Sequence, residues 1–140
     1  MPKTWNEKYN NGKEPFVGPS IRKISGFPPG TQMLVPVPSQ VDQYIRSIPS
    51  GEERTTAQMS KDLAQSAGAE LTCPMCCGMF LRICSEKAFE DYAGGAPIES
   101  ITPFWRMVNS KNPIRNKLSF GVELVDAMRR KEGIELAATH

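Results

Sequence analysis

The sequence predicts a mainly α-helical domain with a small β wing, a winged helix-turn-helix behind an N-terminal arm. Three observations carry that expectation. Helix-like segments follow one another from Ser39 to Tyr92, a short apolar run at Trp105–Val108 leads into a turn, and one more amphipathic segment closes the chain.

Residues 1–38 are rich in proline, glycine and charge, and Gly26-Phe-Pro-Pro-Gly30 is a turn cluster. They are expected to form an arm packed locally on the domain, with the first dozen residues mobile. Met33-Leu-Val-Pro-Val-Pro38 is apolar, but proline donates no ladder hydrogen bond, so a central strand is not expected there. The domain proper is read as 39–136, with a tail at 137–140.

The first helix is expected over Ser39–Ile48. Ser39 and Asp42 form a capping-box pattern, and Val41, Tyr44, Ile45 and Ile48 share one face. Pro49 and Gly51 end it. A second helix starts at Thr55 or Thr56, turns Met59 and Leu63 inward and stops at Gly68. The third runs from Pro74, which suits a first helical position, to about Tyr92. Its first half, through Met75, Cys76, Met79, Phe80, Leu81, Ile83 and Cys84, is apolar nearly all round, the pattern of a helix buried on several sides. Trp105–Val108 reads as a strand and Asn109–Pro113 as a turn. A last helix over Phe120–Arg130 is expected to be capped by Ser119, with Leu124, Val125 and Met128 inward and Gly133 as its stop.

A chain of 140 residues fits one domain, and a net charge of +2 is too small to announce a nucleic-acid partner by itself. No apolar run reaches the roughly 20 residues of a membrane span, and the N-terminus has no apolar signal core. No membrane partner and a cytoplasmic location are the expectation. The four cysteines, Cys73, Cys76, Cys77 and Cys84, lie within twelve residues and cannot staple distant parts of a fold. They are expected to be reduced, mostly buried and free of metal, because the one Cys-x-x-Cys lacks a second pair. No cofactor is expected.

Residues 102–108 read Thr-Pro-Phe-Trp-Arg-Met-Val. This stretch resembles the active-site signature of the alkylguanine-DNA alkyltransferases, Pro-Cys-His-Arg-Val-(Val/Ile), with Pro103, Arg106 and Val108 on its Pro, Arg and last aliphatic. Ile48-Pro-Ser-Gly-Glu52, with Thr55, resembles a second segment of that family, and Arg130-Lys-Glu-Gly-Ile134 a third. The resemblance spans about residues 39–136 and implies the family's C-terminal winged-helix domain and double-stranded DNA, modified or plain, as the partner. It also implies that the reaction is lost. Phe104 stands at the nucleophilic Cys and Trp105 at its His, and neither ring can attack an alkyl carbon or deprotonate a thiol. Thr56 falls on the family's base-flipping Tyr and Gly78 on its intercalating Arg, with Arg82 one turn later. A non-catalytic alkyltransferase-like protein is the function implied.

The residues also bear direct readings. No acid lies between Glu99 and Glu123, while Arg106, Lys111, Arg115 and Lys117 are basic, a stripe suited to phosphate contacts from a wing. On the third helix, Arg82 and Lys87 are outnumbered by Glu86, Glu90 and Asp91, which disfavours a major groove. Phe104 and Trp105 suit either the floor of an aromatic pocket with Thr56 and Gly78, or the core; the core is the commoner fate of such rings. Arg106 and Glu132 are expected to hold the fold together. Cys73-Pro-Met-Cys76 resembles the Cys-Pro-x-Cys of glutaredoxin-like proteins, although no apolar strand runs into it as that fold requires. A thiol-disulfide redox protein and a winged-helix protein-interaction module are therefore the alternatives.

Overall fold

A computed structural model of the chain describes residues 5–10, 12–24, 26–109 and 111–134. The expected tail at 137–140 lies outside them. The architecture is mainly helical with one small three-stranded sheet. In chain order it comprises α1 (Trp5–Tyr9), β1 (Phe16–Pro19), β2 (Gln32–Val35), α2 (Pro38–Arg46), α3 (Thr56–Ala67), β3 (Leu71–Thr72), α4 (Pro74–Ala93) and α5 (Glu123–Glu132). Short 3₁₀ turns at Ile98–Ser100, Phe104–Arg106 and Pro113–Asn116 connect α4 to α5. Among the described residues no helix is long and apolar enough to cross a membrane.

Local chemistry accounts for the helix ends. At α3 the Thr55 hydroxyl accepts from the Gln58 N–H at 3.1 Å, and the Gln58 side-chain Oε1 accepts from the Thr55 N–H at 2.8 Å, a reciprocal capping box. Gly68 ends α3 in the left-handed region at φ +72°. Pro74 occupies the first turn of α4, as expected. The cap of α2 differs from the one the sequence suggested. The helix begins at Pro38, and the Gln40 side chain, rather than the Ser39–Asp42 pair, reaches back to the Val37 N–H at 3.0 Å.

Part of the arm forms regular structure, and residues 1–4 and 11 of the stretch expected to be mobile lie outside the described residues. Within the first dozen residues, α1 packs on α4, with the Arg82 guanidinium 5.2 Å from the Trp5 ring and the Lys87 ammonium 5.1 Å from the Tyr9 ring. The first half of the apolar run, Met33–Val35, does form the central strand. β2 pairs antiparallel with β1 and parallel with β3, in the order β1-β2-β3. The prolines do not interfere because β2 stops at Val35, one residue before Pro36.

α4 is the hub, packed against α1, α2, α3 and the turn at Phe104–Arg106. Val41, Ile45, Met59, Cys77, Leu81, Phe104, Met107, Val108 and Val125 are sealed from solvent around it. Burying each such large side chain contributes about 1.5–3 kcal/mol. One stripe of α4 stays open, contrary to the all-round burial its sequence suggested. Met75 and Met79 are exposed and lie on one helical face with Gly78 and Arg82.

The segment read as a wing strand is not a strand. Phe104–Arg106 is a 3₁₀ turn, closed by the Arg106 N–H on Pro103 O at 3.1 Å and the Met107 N–H on Phe104 O at 3.0 Å. Phe104, Trp105, Met107 and Val108 are all buried, so the alternation of a half-buried strand is absent. α5 also starts later than expected, at Glu123. Ser119 does not cap it; its N–H donates to the Glu86 carboxylate at 2.8 Å and its hydroxyl donates to the same group. Glu86, read from sequence as a surface acid, is 2 % exposed.

Candidate functional site

The three segments that carry the resemblance meet at Glu132. The Arg106 guanidinium binds that carboxylate through Nε at 2.9 Å and Nη2 at 2.8 Å, while its Nη1 donates to Ile48 O at 2.7 Å. The Gly51 N–H donates to the same carboxylate at 3.3 Å. Gly51 is at φ +87°, a conformation that favours glycine, and a Cβ there would meet the Glu132 carbonyl oxygen at a tight 3.3 Å. Burial pushes the Glu132 carboxyl up, but Arg106, the Trp105 N–H and the Gly51 N–H together outweigh it and hold the group below the ordinary range. The buried Trp105 N–H acts here through proximity, having no partner at hydrogen-bond geometry. Arg129, 2 % exposed, donates to Trp105 O at 2.8 Å and to Glu53 at 2.7 Å. Nothing in the local sequence marked Arg129, because both partners are remote along the chain.

A separate cleft of about 580 Å³ opens between the start of α3, the open stripe of α4 and the 112–117 segment. Thr56, Gly78, Met79, Arg82, Asn112 and Lys117 are among its lining residues. Asn112 fixes the loop, donating to Thr56 Oγ1 at 3.2 Å and Met107 O at 3.0 Å while accepting from the Ile114 N–H at 3.1 Å. The structure thus brings together Thr56, Gly78, Arg82 and Lys117, four of the sequence-predicted site residues. It does not bring Phe104 or Trp105 with them. Phe104 is fully buried, and Trp105 borders a different cleft of about 450 Å³ beside Arg46, Glu99 and Lys131. The alternative of an aromatic floor beneath Thr56 and Gly78 is therefore not formed, and both rings belong to the core.

The basic stripe shrinks in three dimensions. Arg106 is committed to Glu132, and Arg115 forms a two-pronged pair with Asp126 at 2.9 Å and 2.9 Å. The Arg115 hydrogen bonds hold the Asp126 carboxyl below its ordinary range. Lys111 and Lys117 remain exposed. The acid count on α4 shrinks too, since Glu86 is internal and Asp91 pairs with Lys87 at 2.9 Å.

The cysteines divide into two pairs. Cys77 and Cys84 are sealed in the core, where burial pushes the Cys77 thiol up to about 11 and the Cys84 thiol further. Cys73 and Cys76 are half-buried, with their sulfurs 2.7 Å apart at the start of α4, so burial of most thiols holds only for the other two. Burial and the neighbouring Cys73 push the Cys76 thiol up to about 12. Under native alkylation, Cys73 is expected to label first and Cys77 and Cys84 only on unfolding. Peptide mapping against time checks this, and early labelling of Cys84 would contradict the packing. Among the described residues no group of three or more His, Cys, Asp or Glu side chains is placed to hold a metal. Comparison with protein-family models, with curated proteins and with solved structures finds no match.

Proposed function

We propose that this chain is a non-catalytic alkyltransferase-like protein of winged-helix type, with the 112–117 segment in the wing's place, that contacts double-stranded DNA through the cleft between α3, α4 and that segment. One observation carries the reading. Thr56 and Gly78, the positions matching the family's base-flipping Tyr and intercalating Arg, line one open cleft with Arg82 and Lys117 on its rim. The meeting of all three resembling segments at Glu132 supports the same descent. Phe104 offers no nucleophile, so binding without transfer is what remains.

Binding is expected to be weak, with Kd about 10⁻⁴–10⁻⁶ M, as for nonspecific contacts. Two free lysines, Lys111 and Lys117, predict that log K falls against log salt with a slope of about −2. Preference for alkylated over plain duplex is expected to be small, because flipping a base costs a few kcal/mol and Thr56 and Gly78 supply neither wedge nor plug. Anisotropy titrations with plain, mismatched and alkylated duplexes at two salt concentrations test this. The double variant Lys111→Ala/Lys117→Ala is expected to flatten the slope; an unchanged slope would put the contact elsewhere, and absence of binding at low salt would end the DNA reading.

A gain-of-function variant sharpens the test. A Cβ at Gly78 meets no atom within 4 Å, so Gly78→Arg has room. It is expected to steepen the salt slope by about 0.9 and, by removing a mid-helix glycine, to stabilise α4 by about 0.5–1 kcal/mol. A stabilised variant with the wild-type slope would show that the α4 stripe does not face DNA.

A further inference from the structure

We propose that Cys73 and Cys76 form a second site, independent of the DNA cleft: a dithiol that exchanges with anionic low-molecular-weight disulfides, Cys73 attacking and Cys76 resolving. The two sulfurs lie 2.7 Å apart with neither bridged, and they are the two thiols of the four that solvent reaches. The pair is held in place by backbone. The Cys73 N–H donates to Leu34 O at 2.9 Å, and the Cys73 sulfur caps α4 by accepting from the Cys76 N–H at 3.4 Å.

The two thiols have different outlooks. Cys73 opens into a cleft of about 390 Å³ that it shares with Arg22, Lys23, Ile24, Pro74 and Met75. Arg22 and Lys23 are exposed, and neither has an acid beside it among the residues lining that cleft. Cys76 lies behind, toward Trp5 and Phe80. An incoming disulfide therefore meets Cys73 first, and two cations draw a ligand carrying carboxylates.

The exchange balances as follows. The Cys73 thiol loses its proton and attacks one sulfur of R–S–S–R. That S–S bond breaks, the first R–S⁻ leaves and takes a proton, and Cys73–S–S–R forms. Cys76 then loses its proton and attacks the Cys73 sulfur, and the second R–S⁻ leaves and is protonated. The protein dithiol is oxidised by two electrons to a disulfide, and the ligand disulfide is reduced to two thiols.

The test uses the full chain with glutathione disulfide as the anionic probe and cystamine as the cationic one. Intact mass of the wild type is expected to show loss of two hydrogens with no retained adduct, and peptide mapping a Cys73–Cys76 link. Cys76→Ser is expected to trap one probe half on Cys73, and Cys73→Ser, whose hydroxyl keeps the helix cap, to give neither product. Arg22→Ala/Lys23→Ala is expected to slow the glutathione disulfide reaction roughly three- to tenfold without slowing cystamine. The proposal is overturned if the native wild type resists both probes while the unfolded chain oxidises, if the link or adduct maps to Cys77 or Cys84, or if the arm variant leaves the ratio of the two rates unchanged.

Discussion

Replacing Arg106 by alanine is expected to destabilise the protein by about 3–5 kcal/mol, the usual consequence of leaving one partner of a buried ion pair alone. At this chain length that lowers Tm by roughly 10 °C or more. Three losses combine. The Glu132 side chain, 8 % exposed, keeps its charge without its guanidinium; Ile48 O loses its donor; and the junction of the three resembling segments loses its centre. Arg106→Lys is expected to recover only part of this, since an ammonium cannot reproduce the two-pronged contact. Denaturant and thermal unfolding of both variants check the claim. A loss under 1 kcal/mol for Arg106→Ala would mean that water reaches Glu132 freely. The pH dependence follows from the same contact. The folded Glu132 carboxyl is held below its unfolded value, so its contribution is present above the unfolded value of about 4.3 and is lost as pH falls through the folded one. Asp126, held down by Arg115, adds in the same direction. Glu132→Gln is expected to flatten the acid limb of a stability-against-pH curve, and an unaltered limb would assign it to other carboxylates.

Phe104→Ala is expected to cost about 3–5 kcal/mol as well, through a different cause. The ring is fully buried, edge-on to Trp105 at 5.4 Å and to Phe120 at 5.6 Å, so its removal opens a cavity inside a sealed aromatic cluster. The same burial predicts that restoring the family's residues does not restore its reaction. Phe104→Cys/Trp105→His is expected to yield a destabilised protein that takes up no alkyl group from alkylguanine DNA. Intact mass after incubation reads this directly. A stoichiometric adduct on the new cysteine would show that position 104 is reachable by a flipped base.

Where the sequence could be read, the determinants were local. Thr55 with Gln58, Pro74 and Gly68 act within a turn of the ends they specify, so α3 and α4 appear where expected. Short apolar runs failed in both directions. Met33–Val35 became the central strand despite nearby prolines, because a partner strand, Leu71–Thr72, sits 38 residues away. Trp105, Met107 and Val108 became buried, with Phe104–Arg106 a 3₁₀ turn, and among the described residues no strand pairs with them. Charge was harder still. The Arg106–Glu132 pair was legible once the third segment was seen, but Arg115 with Asp126 and Glu86 with Ser119 follow from how α5 and its approach fold back, which no local pattern encodes. The candidate cleft was legible as a list of residues and not as a place. Of the two readings open for Phe104 and Trp105, the commoner one, burial in the core, is the one the structure shows.

The parallel pairing of β2 with β3 joins residues 38 apart and is therefore expected to close among the later events of folding. α2 and α3 lie between Met33 and Leu71 in the chain, so their pairing is a non-local contact, the class expected to form slowly. α4 starts two residues after β3, and the Cys73 N–H is bonded to β2 through Leu34 O. The dithiol and the head of the cleft are therefore expected to be completed late, with the four thiols lacking until then the spacing that distinguishes them. Pulse-labelling hydrogen exchange at the Cys73 amide during refolding follows that last step, with protection there expected to lag behind the amides of α3.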